Sequence, residues 1–382
     1  MDTQVRGNSK KRGSSATSES LDQAQAQTQT QPSKKIKTVH TRVVFEEGGK
    51  TLYVDDDKSN AFYIHYVFNV EKLEDLLFLD RYYVTKYDKR KSSNINFYNI
   101  HKIARPIRKL VAMVGIEEVK SQILSVCVFF LQKFDVKNQD MLHTVVYGGP
   151  GVGKTRFINI LGEIYASLGV LEHGKVMNVK RSDLIGQYLG HTAIKTRKVI
   201  EEAKGGVLVI DEAYSLGDTE QRDSFSRECI DTLNQFLSEA KQDFVCVIAG
   251  YKHELDTRFF KSNPGLQRRF PFRFSIPDYS ATQLRQIFIK IVEDSGWAVD
   301  DEVKTSKLFD DHKAHFEFNG GDMETLFTKI KFSHSMRVFS KPKDEKKVTT
   351  MDDLKEGMIT FTNSDKAKTD KLERSLISHL YL

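Results

Sequence analysis

The eight residues Gly148-Gly149-Pro150-Gly151-Val152-Gly153-Lys154-Thr155 spell a complete phosphate-binding loop. In such a loop backbone N–H groups wrap the phosphates, the following helix points its positive end at them, and glycines allow the dihedral angles and close approach this needs. Lys154 then reaches the β- and γ-phosphates, Thr155 binds magnesium, and Arg156 follows at the loop's exit. By composition alone the pattern arises in roughly one or two of every hundred chains of this length. The flanks lower that figure. His143 to Tyr147 reads as a buried strand entering the loop, and Arg156 to Leu168 keeps apolar residues at helical spacing behind it. Fifty-six residues beyond Thr155, the apolar run Val207-Leu208-Val209-Ile210 ends in Asp211-Glu212. A phosphate loop followed by a buried strand that closes on two carboxylates predicts nucleotide hydrolysis.

Outward from the loop, five short apolar runs alternate with amphipathic stretches. They are His143–Tyr147, Val176–Val179, Val207–Ile210, Phe244–Ile248 and Phe272–Ile276. That alternation predicts a doubly wound parallel sheet with ligand at the carboxyl ends of the strands. After Pro277 the strands stop, and Thr282–Val292, Asp322–Phe339 and Met351–Phe361 read as helices of a small lid. Toward the amino terminus, Val43-Val44-Phe45 and Leu52-Tyr53-Val54 flank Gly48-Gly49, which predicts a β-hairpin. Residues 1–42 are rich in Ser, Gln, Thr and Lys and lack the apolar residues a core requires, so they read as a disordered tail. The expected organisation is this tail, a small extension or adaptor over 43–107 that leans on the body or a partner, a nucleotide-binding domain over 108–278, and a helical lid with C-terminal tail over 279–382.

Charge narrows the function classes. Residues 1–42 hold eight Lys/Arg against three Asp/Glu, so five of the six formal positive charges belong to the tail and one to the remaining 340 residues. A body this near neutrality gives no general electrostatic reason for tight duplex nucleic-acid binding. Cys127, Cys229 and Cys246 show neither disulfide nor zinc spacing, which fits a reducing compartment. The apolar run Ile123–Leu131 is about half a membrane span, and the hydrophilic N-terminus carries no secretory signal, so a cytoplasmic or nuclear protein without membrane contact is expected.

Read as a unit, Lys180 to Tyr279 resembles the CbxX/CfxQ-type AAA+ ATPases, the family of red-type Rubisco activases and stage V sporulation protein K. The resemblance rests on "RSDLIGQYLGHTAIKT" (Arg181–Thr196), "GGVLVIDEAYSL" (Gly205–Leu216), "VIAGY" (Val247–Tyr251), "NPGLQRRF" (Asn263–Phe270) and "IPDYS" (Ile276–Ser280), with "MVGIEEVKSQI" (Met113–Ile123) upstream. It spans about residues 108–365 and leaves the first hundred untouched. It implies an α/β P-loop AAA+ core with a five-stranded parallel sheet and a C-terminal helical lid. It also implies a homo-oligomeric ring, usually a hexamer, with ATP and Mg2+ at subunit interfaces. In that family Asp211 holds magnesium through water and Glu212 orients and deprotonates the attacking water. Arg269 matches the arginine finger that acts on a neighbouring subunit, with Arg268 as substitute or neighbour. Tyr188-Leu189-Gly190 matches the pore loop that grips polypeptide, and Val114, Gly115 and Ile116 the apolar wall of the adenine pocket. Each has a bland alternative: a surface basic pair, a core tyrosine, simple packing.

Two departures stand out. Many AAA+ proteins end the fourth strand with an Asn that helps place the water, whereas this chain reads Ala249-Gly250-Tyr251. The lid helix opens with Gly320-Gly321-Asp322 where bacterial members carry an arginine, and no arginine follows until Arg337, so Arg337 or another basic group is expected to substitute. The leading functional expectation is an ATP-driven ring that remodels or threads a protein substrate. The alternatives are a DNA-acting motor or loader, and a switch that binds ATP and assembles with little turnover.

Overall fold

The computed structural model describes residues 41–135, 141–188, 190–217, 223–239, 244–342 and 346–363. The tail read over residues 1–42 (but for its last two residues), Leu189 of the expected pore loop, and residues 364–382 lie outside the described residues.

Two strands, β1 (Thr41–Glu47) and β2 (Lys50–Asp55), pair antiparallel around Gly48 and Gly49, which have φ of 58° and 74°. Two consecutive left-handed residues make the tight hairpin turn that matches strand twist, and glycine adopts them without strain. A short β3 (Tyr66–Val67) adds to β2. Helices α1 (Leu73–Thr85) and α2 (Phe97–Val111) follow, and α2 packs on the helix behind the phosphate loop. Aromatic rings fill this region: Tyr66 meets Phe97 edge-on at 5.0 Å between centroids, and the Tyr66 and Tyr82 hydroxyls lie 2.9 Å apart.

Helix α3 (Glu117–Leu131) leads to the main sheet: β4 (Thr144–Gly148), β5 (Val176–Val179), β6 (Val207–Asp211), β7 (Val245–Gly250) and β8 (Phe272–Ile276). The order across the sheet is β8-β4-β7-β6-β5, all parallel. Helices α4 (Lys154–Leu168), α5 (His191–Glu202) and α6 (Ser224–Glu239) connect the strands. Both faces are covered, which is why the strands read as continuous apolar runs. Val207 and Val209 face one core together with α4 and the N-terminal helices, while Leu208 and Ile210 face the other with Cys229, Leu233 and Leu237 of α6. Strands β6 and β7 run one and two residues past the apolar runs that announced them. Backbone pairing of Asp211 with Ala249 and of Tyr147 with Gly250 continues the ladder whatever the side chains are.

Beyond Pro277 run helices α7 (Ala281–Asp294), α8 (Gly320–Arg337) and α9 (351–363), but the strands do not stop there as expected: Ala298–Val299 pairs in parallel with Val348–Thr349, a backbone pairing too short for any apolar run to announce. Helix α7 opens with a reciprocal cap in which Ser280 accepts from the N–H of Gln283, and Gln283 accepts from the N–H of Ser280. Leu284, Phe288, Met323, Leu326 and Phe327 form the lid core and are continuous with the helical layer beneath the sheet.

Candidate active site

The sheet register gathers the chemistry at one edge. Gly148 pairs with Ile276, Tyr147 with Gly250, and Asp211 with Ala249, so the ends of four strands meet at their carboxyl side. Above them a cavity of about 470 Å3 lies between the phosphate loop, Ala112–Val114 and the lid. Of the residues expected to bind nucleotide, Gly151, Val152, Gly153, Lys154, Thr155, Arg156, Asp211 and Val114 line it. Gly148, Gly149 and Pro150 form the loop's base: a Cβ on Gly148 would sit 3.0 Å from the Ile276 carbonyl, and one on Gly149 2.9 Å from Asp278. Gly115 and Ile116 stand behind the wall, Gly115 against Gln283 and Tyr279, and Ile116 buried at the start of α3.

The loop's glycines have visible reasons. Gly151 has φ of 68°, and a Cβ there would fall 1.9 Å from the Phe318 carbonyl. That closeness arises because the lid sits directly on the loop: the N–H of Gly320 donates to the Gly151 carbonyl at 3.1 Å, and Asn319 donates through Nδ2 to Pro150. Tyr279 completes the seam, its hydroxyl donating to the Val152 carbonyl at 2.7 Å. Lys154 and Thr155 open α4, whose first-turn N–H groups have no partner within the helix and carry its positive end.

Lys154 donates to the carbonyls of Gly148 and Gly149 at 3.0 and 2.7 Å, and its ammonium lies 5.7 Å from the centre of the Tyr251 ring. Burial lowers its pKa against the opposing pull of Asp211 and Glu212. An ammonium resting on two neutral carbonyls in a partly buried loop is poised to exchange them for phosphate oxygens, which give stronger, charge-assisted bonds.

Glu212 does not line the cavity but stands beside Asp211 at its edge, and its backbone is left-handed with φ of 51°. A non-glycine residue in that region costs about 1 kcal/mol or more and persists only where its surroundings enforce it. Here the Glu212 N–H donates to Asp211 Oδ1 at 3.0 Å, and the Tyr214 phenol lies near the Glu212 carboxylate. Burial, with the negative charge of Glu212 close by, pushes the Tyr214 phenol up to about 12, so it is neutral near pH 7. Its ring takes up the space beside Gly250, where a Cβ would be only 3.1 Å from the ring carbons. Tyr214 was not among the residues singled out from sequence. The signal was the missing side chain at Gly250, which leaves room for a large residue from the neighbouring strand end.

The two arginines lie elsewhere. Phe272 pairs with Thr144 and Ile276 with Gly148, so the residues entering β8 sit at the amino edge of the sheet, about 13 Å of strand away from the loop. Arg269 donates through Nε to Ser238 and through Nη1 to the Gly265 carbonyl, both at 2.7 Å. Arg268 is exposed, with no hydrogen-bond or ion-pair partner among the described residues. Tyr188 is 66% exposed and meets His191 edge-on at 5.5 Å, and Gly190, with φ of 79°, begins α5.

The lid corrects one expectation. Arg337 cannot stand in for a lid arginine at the nucleotide, because it ends the 18-residue α8 whose first residue touches the loop, about 25 Å away. It is committed to the Asp353 carboxylate through Nε at 3.0 Å and Nη2 at 2.7 Å. The basic group that the lid does bring to the cavity is Lys290 of α7, whose ammonium donates to the Ala112 carbonyl at 2.5 Å. No sequence signal separated Lys290 from the other lysines, because its position depends on how α7 crosses the end of α2.

Residues 144–277 match the model of the ATPase family associated with various cellular activities (AAA). Over 276 residues the chain is 39% identical to a cfxQ-like protein of Acanthamoeba polyphaga mimivirus, covering 72% of this chain and 68% of that one. Stage V sporulation protein K of Bacillus subtilis is 38% identical over 53% of this chain and 65% of its own length. A chloroplastic ribulose bisphosphate carboxylase/oxygenase activase of Cyanidioschyzon merolae is 32% identical over 63% of this chain and 84% of its own. With the phosphate loop, the parallel sheet and the lid seam in place, these similarities settle the assignment: the chain belongs to the CbxX/CfxQ family of AAA+ ATPases.

Proposed function

We propose that the chain works as a homo-oligomeric ring, a hexamer in its simplest form, that hydrolyses Mg-ATP at subunit interfaces and uses the energy to remodel or thread a protein substrate in the cytoplasm or nucleus. The observation that carries this reading is the separation of the two arginines from the chain's own cavity. Arg268 and Arg269 lie at the opposite edge of the sheet from Lys154, so a guanidinium from this pair meets a γ-phosphate only across an interface. Arginine suits the task because it remains charged and forks onto oxygens as charge develops.

Within one subunit the assignments follow the geometry. Lys154 would exchange the Gly148 and Gly149 carbonyls for the β- and γ-phosphates, and Thr155 and Asp211 would hold magnesium, which would supply charge neutralisation at the phosphates. Glu212 takes the proton of the attacking water, and Tyr214 holds its carboxylate in line. Tyr188, exposed at the tip before Gly190, supplies aromatic contact to polypeptide together with Leu189. Both the DNA motor and the silent switch are weaker readings. The body is nearly neutral, and the loop, carboxylates and arginine pair of a hydrolytic site are all present.

Steady-state hydrolysis per subunit, measured against protein concentration with Glu212→Gln as control, tests the proposal. Specific activity that rises with concentration and vanishes in the variant supports it. Tight ATP binding without turnover at any concentration overturns it in favour of the switch.

A further inference from the structure

The N-terminal region carries a second concavity, remote in sequence from the catalytic residues. A groove of about 370 Å3 is lined by Tyr83, Tyr87, Lys89, Ser93, Phe97 and Tyr98, among others. Its floor is aromatic, since Phe97 and Tyr83 are buried there, and its rim is both aromatic and basic. Tyr98 is 56% exposed, and Phe62, whose carbonyl accepts from the N–H and hydroxyl of Ser92 beside the groove, is 81% exposed. Between residues 86 and 105 the chain places Lys86, Lys89, Arg90, Lys91, Lys102 and Arg105 against the single acid Asp88, which is paired with Arg90.

We propose that this groove docks an acidic polypeptide segment that carries an aromatic or aliphatic anchor. Large exposed apolar side chains grouped at a concave site mark a binding surface, and the cations Lys89, in the groove, and Lys102, on Tyr98, favour the opposite charge. The ring faces decide between protein and nucleic acid. Lys89 covers Tyr83 with its ammonium 5.0 Å from the ring centre, and Lys102 covers Tyr98 at 4.7 Å. Single-stranded nucleic acid needs open aromatic faces on which bases stack. Faces already occupied by ammonium groups withhold that platform while presenting the cations to carboxylates. The apolar anchor then enters the groove above its aromatic floor.

The platform is rigid. Buried Asp80 holds both His101, at 2.6 Å, and Arg108, fastening α1 to α2, and Lys109 holds Glu163 of α4 at 2.5 Å. The groove opens at the start of α2 and Ala112, directly after its end, lines the nucleotide cavity, so the two sites lie at the ends of one helix about 22 Å long. The inference adds a partner class to the remodelling reading and rests on that reading only for what docking achieves.

The test uses the full chain and fluorescence anisotropy with a labelled twelve-residue peptide of glutamates around a central Phe-Leu pair. A lysine-substituted version of the peptide and a labelled oligothymidylate serve as comparators. Binding of the acidic peptide that weakens about tenfold in Lys89→Glu/Lys102→Glu, weakens several-fold in Tyr98→Ala, and falls with added salt is the expected result. The same variants keep wild-type ATP hydrolysis, which separates loss of docking from misfolding. The proposal is overturned if the acidic peptide does not bind, if binding ignores these substitutions, or if the oligothymidylate binds in preference. Hydrolysis that survives in Glu212→Gln would sink the catalytic proposal and leave this result unaffected.

Discussion

The two ends of the central sheet contrast. At the carboxyl edge the central charged groups are engaged inside the chain: Lys154 rests on two carbonyls, Asp211 accepts from the N–H of Glu212, and Glu212 lies beside the Tyr214 phenol. At the amino edge Arg268 faces solvent and, among the described residues, Arg269 is tied to the neutral Ser238 and a carbonyl. Under the proposed function the carboxyl edge is one half of a site and the amino edge supplies the other half to a neighbouring subunit. Turnover is then a property of the assembly, because strand geometry keeps the two edges of one sheet about 13 Å apart.

The largest expected effect breaks this contrast directly. Arg268→Ala/Arg269→Ala and Lys154→Ala should each lower turnover by about a hundredfold or more, since each removes charge stabilisation of the transferring phosphoryl group. Mixing the two inactive proteins should restore a measurable fraction of activity, because an intact loop from one meets intact arginines from the other. If the mixture stays inactive while still co-assembling, the arginines do not act across the interface. Single substitutions then rank the pair: a dominant loss in Arg269→Ala means that its bonds to Ser238 and Gly265 are released on assembly.

Within the carboxyl-edge half-site, Tyr214→Phe removes one hydroxyl and leaves the ring that fills the space at Gly250. Turnover should fall about tenfold with KM for ATP unchanged, the mark of a group that acts on the reacting geometry and not on substrate binding. In a Glu212→Gln background the same change should add nothing. An equal loss on top of Glu212→Gln would assign Tyr214 to general folding. A smaller effect is expected at the lid, where Lys290→Ala should weaken ATP binding several-fold by equilibrium titration while hydrolysis at saturating ATP persists.

The same contrast explains how much was legible beforehand. The phosphate loop, Asp211-Glu212 and the five strands could be read because each is local: a loop pattern, a strand end, a run of apolar residues. Three long lid helices were legible from periodicity, whereas the short helices Asp301–Thr305 and Leu308–Asp311 and the pairing of Ala298–Val299 with Val348–Thr349 were not, being too short to show a period. Tyr214 and Lys290 were not, because one depends on what the neighbouring strand lacks and the other on where α7 crosses the end of α2. The expectation for Arg337 failed for a related reason. A sequence shows that an arginine is present and not that a buried carboxylate has already claimed it.

That carboxylate gives the smallest and most specific prediction. Asp353 is buried, and burial alone would push it up, yet the hydrogen bonds from Arg337, Thr350 and His334 hold it at about 2. A carboxyl depressed in the folded state contributes stability that is present above its ordinary value near 4 and is lost as pH falls through its folded value. The lid should therefore gain nothing and lose nothing from Asp353 between pH 5 and 8, and weaken between about pH 4 and 2. Arg337→Ala withdraws one partly exposed partner while Thr350 and His334 remain, so screening limits the cost to about 1 kcal/mol, a fall in Tm of roughly 2–4 °C. ATP affinity in this variant should match wild type, since the arginine lies at the far end of α8 from Gly320 and the loop it touches. A variant that lost nucleotide affinity while keeping its Tm would return Arg337 to the active site and erase the distinction between a lid held by its own charges and a cavity served by Lys290.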